Sequence, residues 1–190
     1  MKYPDGMARL KDLRTRIGKL REEMRAAQAA IEPEEIDDYE FATLKGPVRL
    51  SGLFNGKDDL FVVHNMGTSC SSCTMWADGC NGFYPHVADR AGFVVSSPDD
   101  PQTQKEFAAS RGWRFPMVSH VGTNFAQDMG YRSNHGGWLP GLSVLRRDGG
   151  RLTRVSDARW SPGDDFCPVW HFFDMLPGGS KGWMPRFQYG

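Results

Sequence analysis

The sequence predicts an α/β sandwich, a central mixed sheet flanked by helices, with a separate amphipathic helix in front of it. Three observations carry that prediction. From about residue 47, short apolar runs such as Leu60–Asn65 (LFVVHN) and Gly92–Ser97 (GFVVSS) alternate with helical patterns. Two later runs, Leu142–Arg146 and Arg151–Ser156, flank Asp148-Gly149-Gly150, a hairpin signature. With 190 residues, 39% of them hydrophobic and 12% aromatic, the chain suffices for one sizeable core.

Taken in order, residues 5–31 form the clearest helix. Met7, Leu10, Leu13, Ile17, Leu20, Met24, Ala27 and Ile31 recur every three or four positions among Lys, Arg and Glu. That stripe suits either an amphipathic helix docked on its own domain or a short coiled coil making a homodimer through residues 7–31. The acidic stretch Glu32–Glu40, containing Pro33, ends the helix and reads as a linker. Strands are expected over Val48–Phe54 and Leu60–Asn65, separated by the turn Asn55-Gly56-Lys57-Asp58. A Gly/Ser-rich turn, Gly67-Thr68-Ser69-Cys70, leads into a helix expected to run through Trp76, and GFVVSS is the next strand. Asp100 as cap, Pro101 at the first helical position and Gly112 as stop delimit another helix. A strand at Val118–Val121, a short helix around Asn124–Met129 and the hairpin follow. A last helix is capped by Asp164 or Asp165 and carries Val169, Phe172, Phe173 and Leu176. The predicted organisation is a helical extension with its linker (1–44), an α/β domain (45–177) and an aromatic, Gly/Pro-rich tail (178–190).

Composition narrows the function. The 23 basic and 23 acidic residues cancel, which removes the bulk electrostatic reason for a nucleic-acid or anionic-membrane partner. No apolar run approaches the roughly 18 residues of a membrane span, and the basic N-terminus lacks the apolar core of a secretory signal. A cytoplasmic location is expected. Four cysteines are too few for a disulfide scaffold in a chain that already has a core.

The chemistry concentrates at Cys70-Ser71-Ser72-Cys73, directly after the most apolar strand and at the start of a helix. Unpaired N–H groups and the dipole of a helix N-terminus favour an anion there, so Cys70 should ionise easily. From an ordinary pKa near 8.5, such effects give roughly 5–50% thiolate at neutral pH. Two intervening residues on a helical turn also bring the second sulfur close enough for a reversible disulfide. Cys80, two helical turns beyond Cys73, is read as a packed residue or an accessory thiol. A zinc site from Cys70, Cys73, Cys80 and His86 lacks the second ligand pair that structural sites show, so no metal is assigned. No phosphate loop or dinucleotide fingerprint is present, and no cofactor is expected. His64, His120, His135 and His171 have no ligand spacing and read as solvated or hydrogen-bonded residues. Trp138-Leu139-Pro140 immediately precedes the strand Leu142–Arg146; a proline there starts the strand or is cis, and either geometry offers the Leu139 backbone to an extended partner chain.

These residues resemble the thioredoxin superfamily over about positions 47–176, from LFVVHN into CSSC, through FVVSS, to LPGLSVLRRDGG and the last helix. More closely, CSSCTMWADGCNGF, HVADR, GWRFPMVS and PGLSVLRRDG resemble a bacterial thioredoxin-like family catalogued as domain of unknown function 899, predicted dithiol-disulfide oxidoreductases. The resemblance implies a thioredoxin-like sandwich and thiol–disulfide exchange with a protein or small-molecule substrate. It matches Cys70 to the attacking thiol, Cys73 to the resolving thiol and Pro140 to the cis-proline facing the pair. Ser69 stands where thioredoxin has tryptophan, and Ser71-Ser72 replaces its Gly-Pro. Peroxiredoxins carry Thr or Ser three residues before their reactive cysteine, where this chain has Gly67. The alternatives are a peroxiredoxin-like thiol peroxidase and a non-catalytic thioredoxin-fold binding or dimerisation module.

Overall fold

In the computed structural model, which describes residues 1–190, the chain divides into two compact units, Met1–Pro33 and Glu34–Gly190. The first is a single helix, α1 (Tyr3–Ala29), with Pro4 in its first turn, where a missing N–H costs nothing. None of its residues is buried. No helix is long and apolar enough to cross a membrane.

The second unit is built on one eight-stranded sheet. Its strands are β1 (Glu34–Glu35), β2 (Glu40–Thr43), β3 (Gly46–Arg49), β4 (Asp59–His64), β5 (Gly92–Ser97), β6 (Met117–Ser119), β7 (Gly141–Asp148) and β8 (Arg151–Arg159). Their spatial order is β1-β8-β7-β4-β5-β6-β2-β3. The central β4, β5 and β6 run parallel, and β7, β8, β1, β2 and β3 add antiparallel pairs on the two sides. Four helices belong to this unit: α2 (Ser71–Arg90), α3 (Pro101–Arg111), α4 (Phe125–Asp128) and α5 (Pro168–Asp174). The mixed α/β sandwich expected from the sequence is the architecture observed.

Alternation along β4 sends Leu60 and Val62 into one core with Phe41, Phe54, Val94, Phe125, Tyr131 and Leu145. Val63 enters a second core with Cys73, Trp76, Cys80, Phe93, Val95, Trp160 and Trp170. Both faces of the central strands are thus covered, which explains their unbroken apolar runs.

The structure differs from the sequence reading in four places. The second compact unit begins at Glu34, within the stretch read as a linker. The acidic stretch forms edge strand β1, where Glu34 faces Arg154 and Glu35 pairs with Arg151 at 3.1 Å, and β2 closes onto β3 and β6. Val48–Phe54 is only partly a strand: Leu50–Phe54 is a 3₁₀ helix with Leu50 and Phe54 buried, and it ends at Asn55, which takes a left-handed φ of 50°. Helix α2 continues fourteen residues beyond Trp76, with Pro85 inside it. Helix α5 starts at Pro168; Asp164 instead accepts the Phe166 and Cys167 N–H groups in the preceding loop. The tail folds back, with Trp183 against Phe173 (ring centroids 4.9 Å apart) and the Phe187 carbonyl accepting from Arg111 Nη1 at 2.7 Å.

Candidate functional site

The site grows from the carboxyl end of β4. Asn65 continues the ladder through its N–H to the Ser96 carbonyl (2.9 Å), and its Oδ1 then accepts the Gly67 N–H (2.8 Å), turning the chain. Gly67 has a φ of 103°, and a Cβ there would stand 3.0 Å from Asp99 Oδ1. Only glycine lets the loop pass this close to that carboxylate. Asp99 holds the loop: it accepts the Thr68 N–H (3.1 Å), the Thr68 hydroxyl (3.2 Å) and the Ser97 hydroxyl (2.9 Å). The Cys70 N–H closes the turn onto the Gly67 carbonyl at 3.1 Å.

This loop delivers Cys70 to the N-cap of α2, where its sulfur accepts the Cys73 N–H at 3.0 Å. The two sulfurs lie 2.6 Å apart. Cys70 is half-buried and Cys73 buried. The Cys73 thiol donating to it lowers the Cys70 pKa to about 7, with further help from the Cys73 and Ser72 N–H groups, against the opposing effect of burial. Cys73 moves the other way, pushed far up first because its proton is held by Cys70 and then by burial. Cys70 is therefore the sulfur that ionises more readily, and Cys73 the one that keeps its proton. Ser71 and Ser72 supply the first turn of α2.

Cys80 lies two turns along α2 from Cys73, on the same buried face. Burial, with Cys167 nearby, raises its thiol to about 12, so it is a protonated core residue in the resting fold. Cys167 is likewise buried and shifted upward by burial. Pro140 directly precedes β7, whose Gly141 pairs with His64, so Leu139 and Pro140 lie at the sheet end from which the cysteine loop leaves. Every peptide bond is trans. Of the two geometries open to Pro140, the structure has the strand-start one, and the cis form implied by the resemblance is absent. The Leu139 N–H is already used, bonding the Tyr131 carbonyl at 2.9 Å, so that donor is closed to a partner strand.

A polar row beside this loop has no local mark in the sequence. His64 Nε2 meets Ser143 Oγ at 2.9 Å, and His120 Nδ1 meets Ser96 Oγ at 2.9 Å. His64 stacks on Tyr131 with ring centroids 3.6 Å apart. Burial holds both imidazoles below their ordinary pKa, His120 at about 4 and His64 well below 6.5. They are neutral at pH 7. Asp99 was equally invisible: it is 31 positions from Thr68, and only the adjacency of β4 and β5 joins them. The one available hint is the position of Asn65-Met66-Gly67 after an apolar strand, the pattern of an Asx turn.

The fold resembles solved peroxiredoxins. Xanthomonas campestris peroxiredoxin Q shares 19% identity at a TM-score of 0.57, over 70% of this chain and 87% of that one. Mycobacterium tuberculosis peroxidoxin BcpB shares 23% at 0.55, over 67% and 84%. A yeast mitochondrial 1-Cys peroxiredoxin shares 14% at 0.57, over 82% and 84%. At such identities the likeness establishes a thioredoxin-like fold. No curated protein matches the chain. A family model does, over residues 7–187, and with that span the chain belongs to the family described as bacterial protein of unknown function (DUF899).

Proposed function

We propose that this protein is a thiol–disulfide oxidoreductase working through Cys70 and Cys73. The observation that carries the reading is the N-cap position of Cys70, whose sulfur receives the Cys73 N–H at 3.0 Å and lies 2.6 Å from the second sulfur. In the forward direction the Cys70 thiolate attacks one sulfur of a substrate disulfide. A Cys70–substrate disulfide forms, and the expelled thiolate takes a proton from water. Cys73 then gives up its proton and attacks Cys70 Sγ, releasing the second substrate thiol. Two electrons pass to the substrate, and the protein is left with a Cys70–Cys73 disulfide that an external dithiol must reduce. Pro140 and Leu139, at the same sheet end, are assigned to the substrate side, Leu139 through its side chain and carbonyl because its N–H is held by Tyr131.

The test is a glutathione redox titration with acid quenching, alkylation and peptide mapping. A reversible Cys70–Cys73 disulfide with a potential between about −120 and −300 mV supports the reading. Cys70→Ser should abolish exchange, and Cys73→Ser should trap the mixed disulfide. Equal residual activity in the two variants refutes the roles. The peroxiredoxin-like fold favours one second reading: the Cys70 thiolate takes an oxygen from a peroxide, leaving an alcohol or water, and the sulfenic acid condenses with Cys73 to give the disulfide and water. Peroxide consumption lost in Cys70→Ser, without reduction of disulfide substrates by the parent protein, would move that reading ahead.

A further inference from the structure

Helix α1 carries a strict alternation of three- and four-residue steps. Leu10, Ile17 and Met24 occupy a positions of a heptad, Leu13, Leu20 and Ala27 the d positions, and Ile31 follows just past the helix end. All six large residues are exposed, from 37% at Leu13 to 67% at Met24. At about 1.5 Å per residue the helix offers a seam about 40 Å long, narrow enough for a coiled coil.

The residues beside the seam decide what covers it. The g positions are Arg9, Arg16 and Glu23, and the e positions are Met7, Arg14, Arg21 and Gln28. A parallel pair of these helices sets Arg9 against the partner's Arg14 and Arg16 against the partner's Arg21, only like charges. An antiparallel pair sets Arg16 against the partner's Glu23 on each side of the axis, with Arg14 and Arg21 as the one unfavourable match. The charge of the unit has the same polarity: residues 2–21 hold seven basic and two acidic side chains, whereas residues 22–33 hold three acidic and one basic. The antiparallel register also matches sizes, placing Leu10 over the partner's Ala27, Leu13 over the partner's Met24 and Ile17 over the partner's Leu20.

We propose that α1 is a dimerisation element that pairs antiparallel with α1 of a second copy of this chain, in that register. Light scattering on the full chain tests it. The parent protein should show twice the 21.3 kDa mass of one chain. Leu13→Glu combined with Ile17→Glu should return the single mass. Glu23→Arg should weaken the dimer at least tenfold, and Arg16→Glu added to Glu23→Arg should restore it, because the exchanged charges meet again across the axis. The restored double variant excludes misfolding as the cause of the single variant's effect. A monomeric parent protein, a dimer that survives both seam substitutions, or a Glu23→Arg dimer as tight as the parent would each overturn the proposal. So would a monomer that sediments with phosphatidylglycerol vesicles, which would make the Arg-flanked stripe a lipid contact.

Discussion

Cys70 and Cys73 differ because one accepts what the other donates. The pH profile of Cys70 alkylation should therefore have a midpoint near 7. Cys73→Ala should move that midpoint upward, since the larger part of the lowering comes from the Cys73 thiol and alanine has no donor to replace it. An unmoved midpoint would assign the effect to the helix end alone. Asp99 is a positioning residue: it touches the Gly67–Cys70 loop through Thr68 and does not reach the sulfurs. Asp99→Ala should loosen the loop and carry the Cys70 pKa back toward about 8.5, cutting its alkylation rate at pH 7 by about tenfold. A faster rate would instead mean that the carboxylate acts only as a repelling charge.

At the scale of elements, β7 and the chain that precedes it are fixed by a close approach. A Cβ on Gly141 would lie 2.3 Å from Tyr131 Cε1 and 2.5 Å from the Ala158 carbonyl oxygen. Neither neighbour yields easily, because Tyr131 is stacked on His64 and the Ala158 carbonyl belongs to β8. Gly141→Ala should cost about 3 kcal/mol of stability, measurable by urea unfolding, through overpacking. It should also disturb Pro140 and the end of the sheet beside the cysteine loop. A loss below about 0.5 kcal/mol would show that β7 has room to shift. Helix α2 shows another element-scale effect: its continuation past Trp76 rests on burial of Ala77 and Cys80, which local signals after Trp76 do not announce.

For the whole molecule, the buried His64 and His120 set an acid limit. Their folded pKa values lie below the unfolded value of about 6.5. The unfolded chain therefore binds protons first on acidification, and stability present above pH 6.5 is lost as pH falls toward 4. For His120 alone this amounts to about 2 kcal/mol between pH 7.5 and pH 5. Urea unfolding at those two values should show a loss of at least that size, and His64→Gln with His120→Gln should flatten it. An unchanged slope in the double variant would place the acid sensitivity elsewhere. Asp59, held low by Arg146 and Arg90, adds a loss only below about pH 4.

The sequence by itself determined the fold class, the hairpin and the caps of α3, because apolar period and turn chemistry act over a few residues. It also marked Cys70 and Cys73, since a strand running into a glycine turn and a helix is a local pattern, and the helix-end and Cys73 contacts that shift Cys70 lie within four positions. The tertiary structure decided what depends on distant partners. Glu34 and Glu35 form a strand rather than a linker because arginines of β8, more than 110 positions away, stand opposite them. Asp99, Ser96, Ser143 and the two buried histidines become one polar edge only after the strands are laid side by side. Pairing across a sheet is settled by register, and register is a property of the assembled sheet rather than of any one stretch of chain.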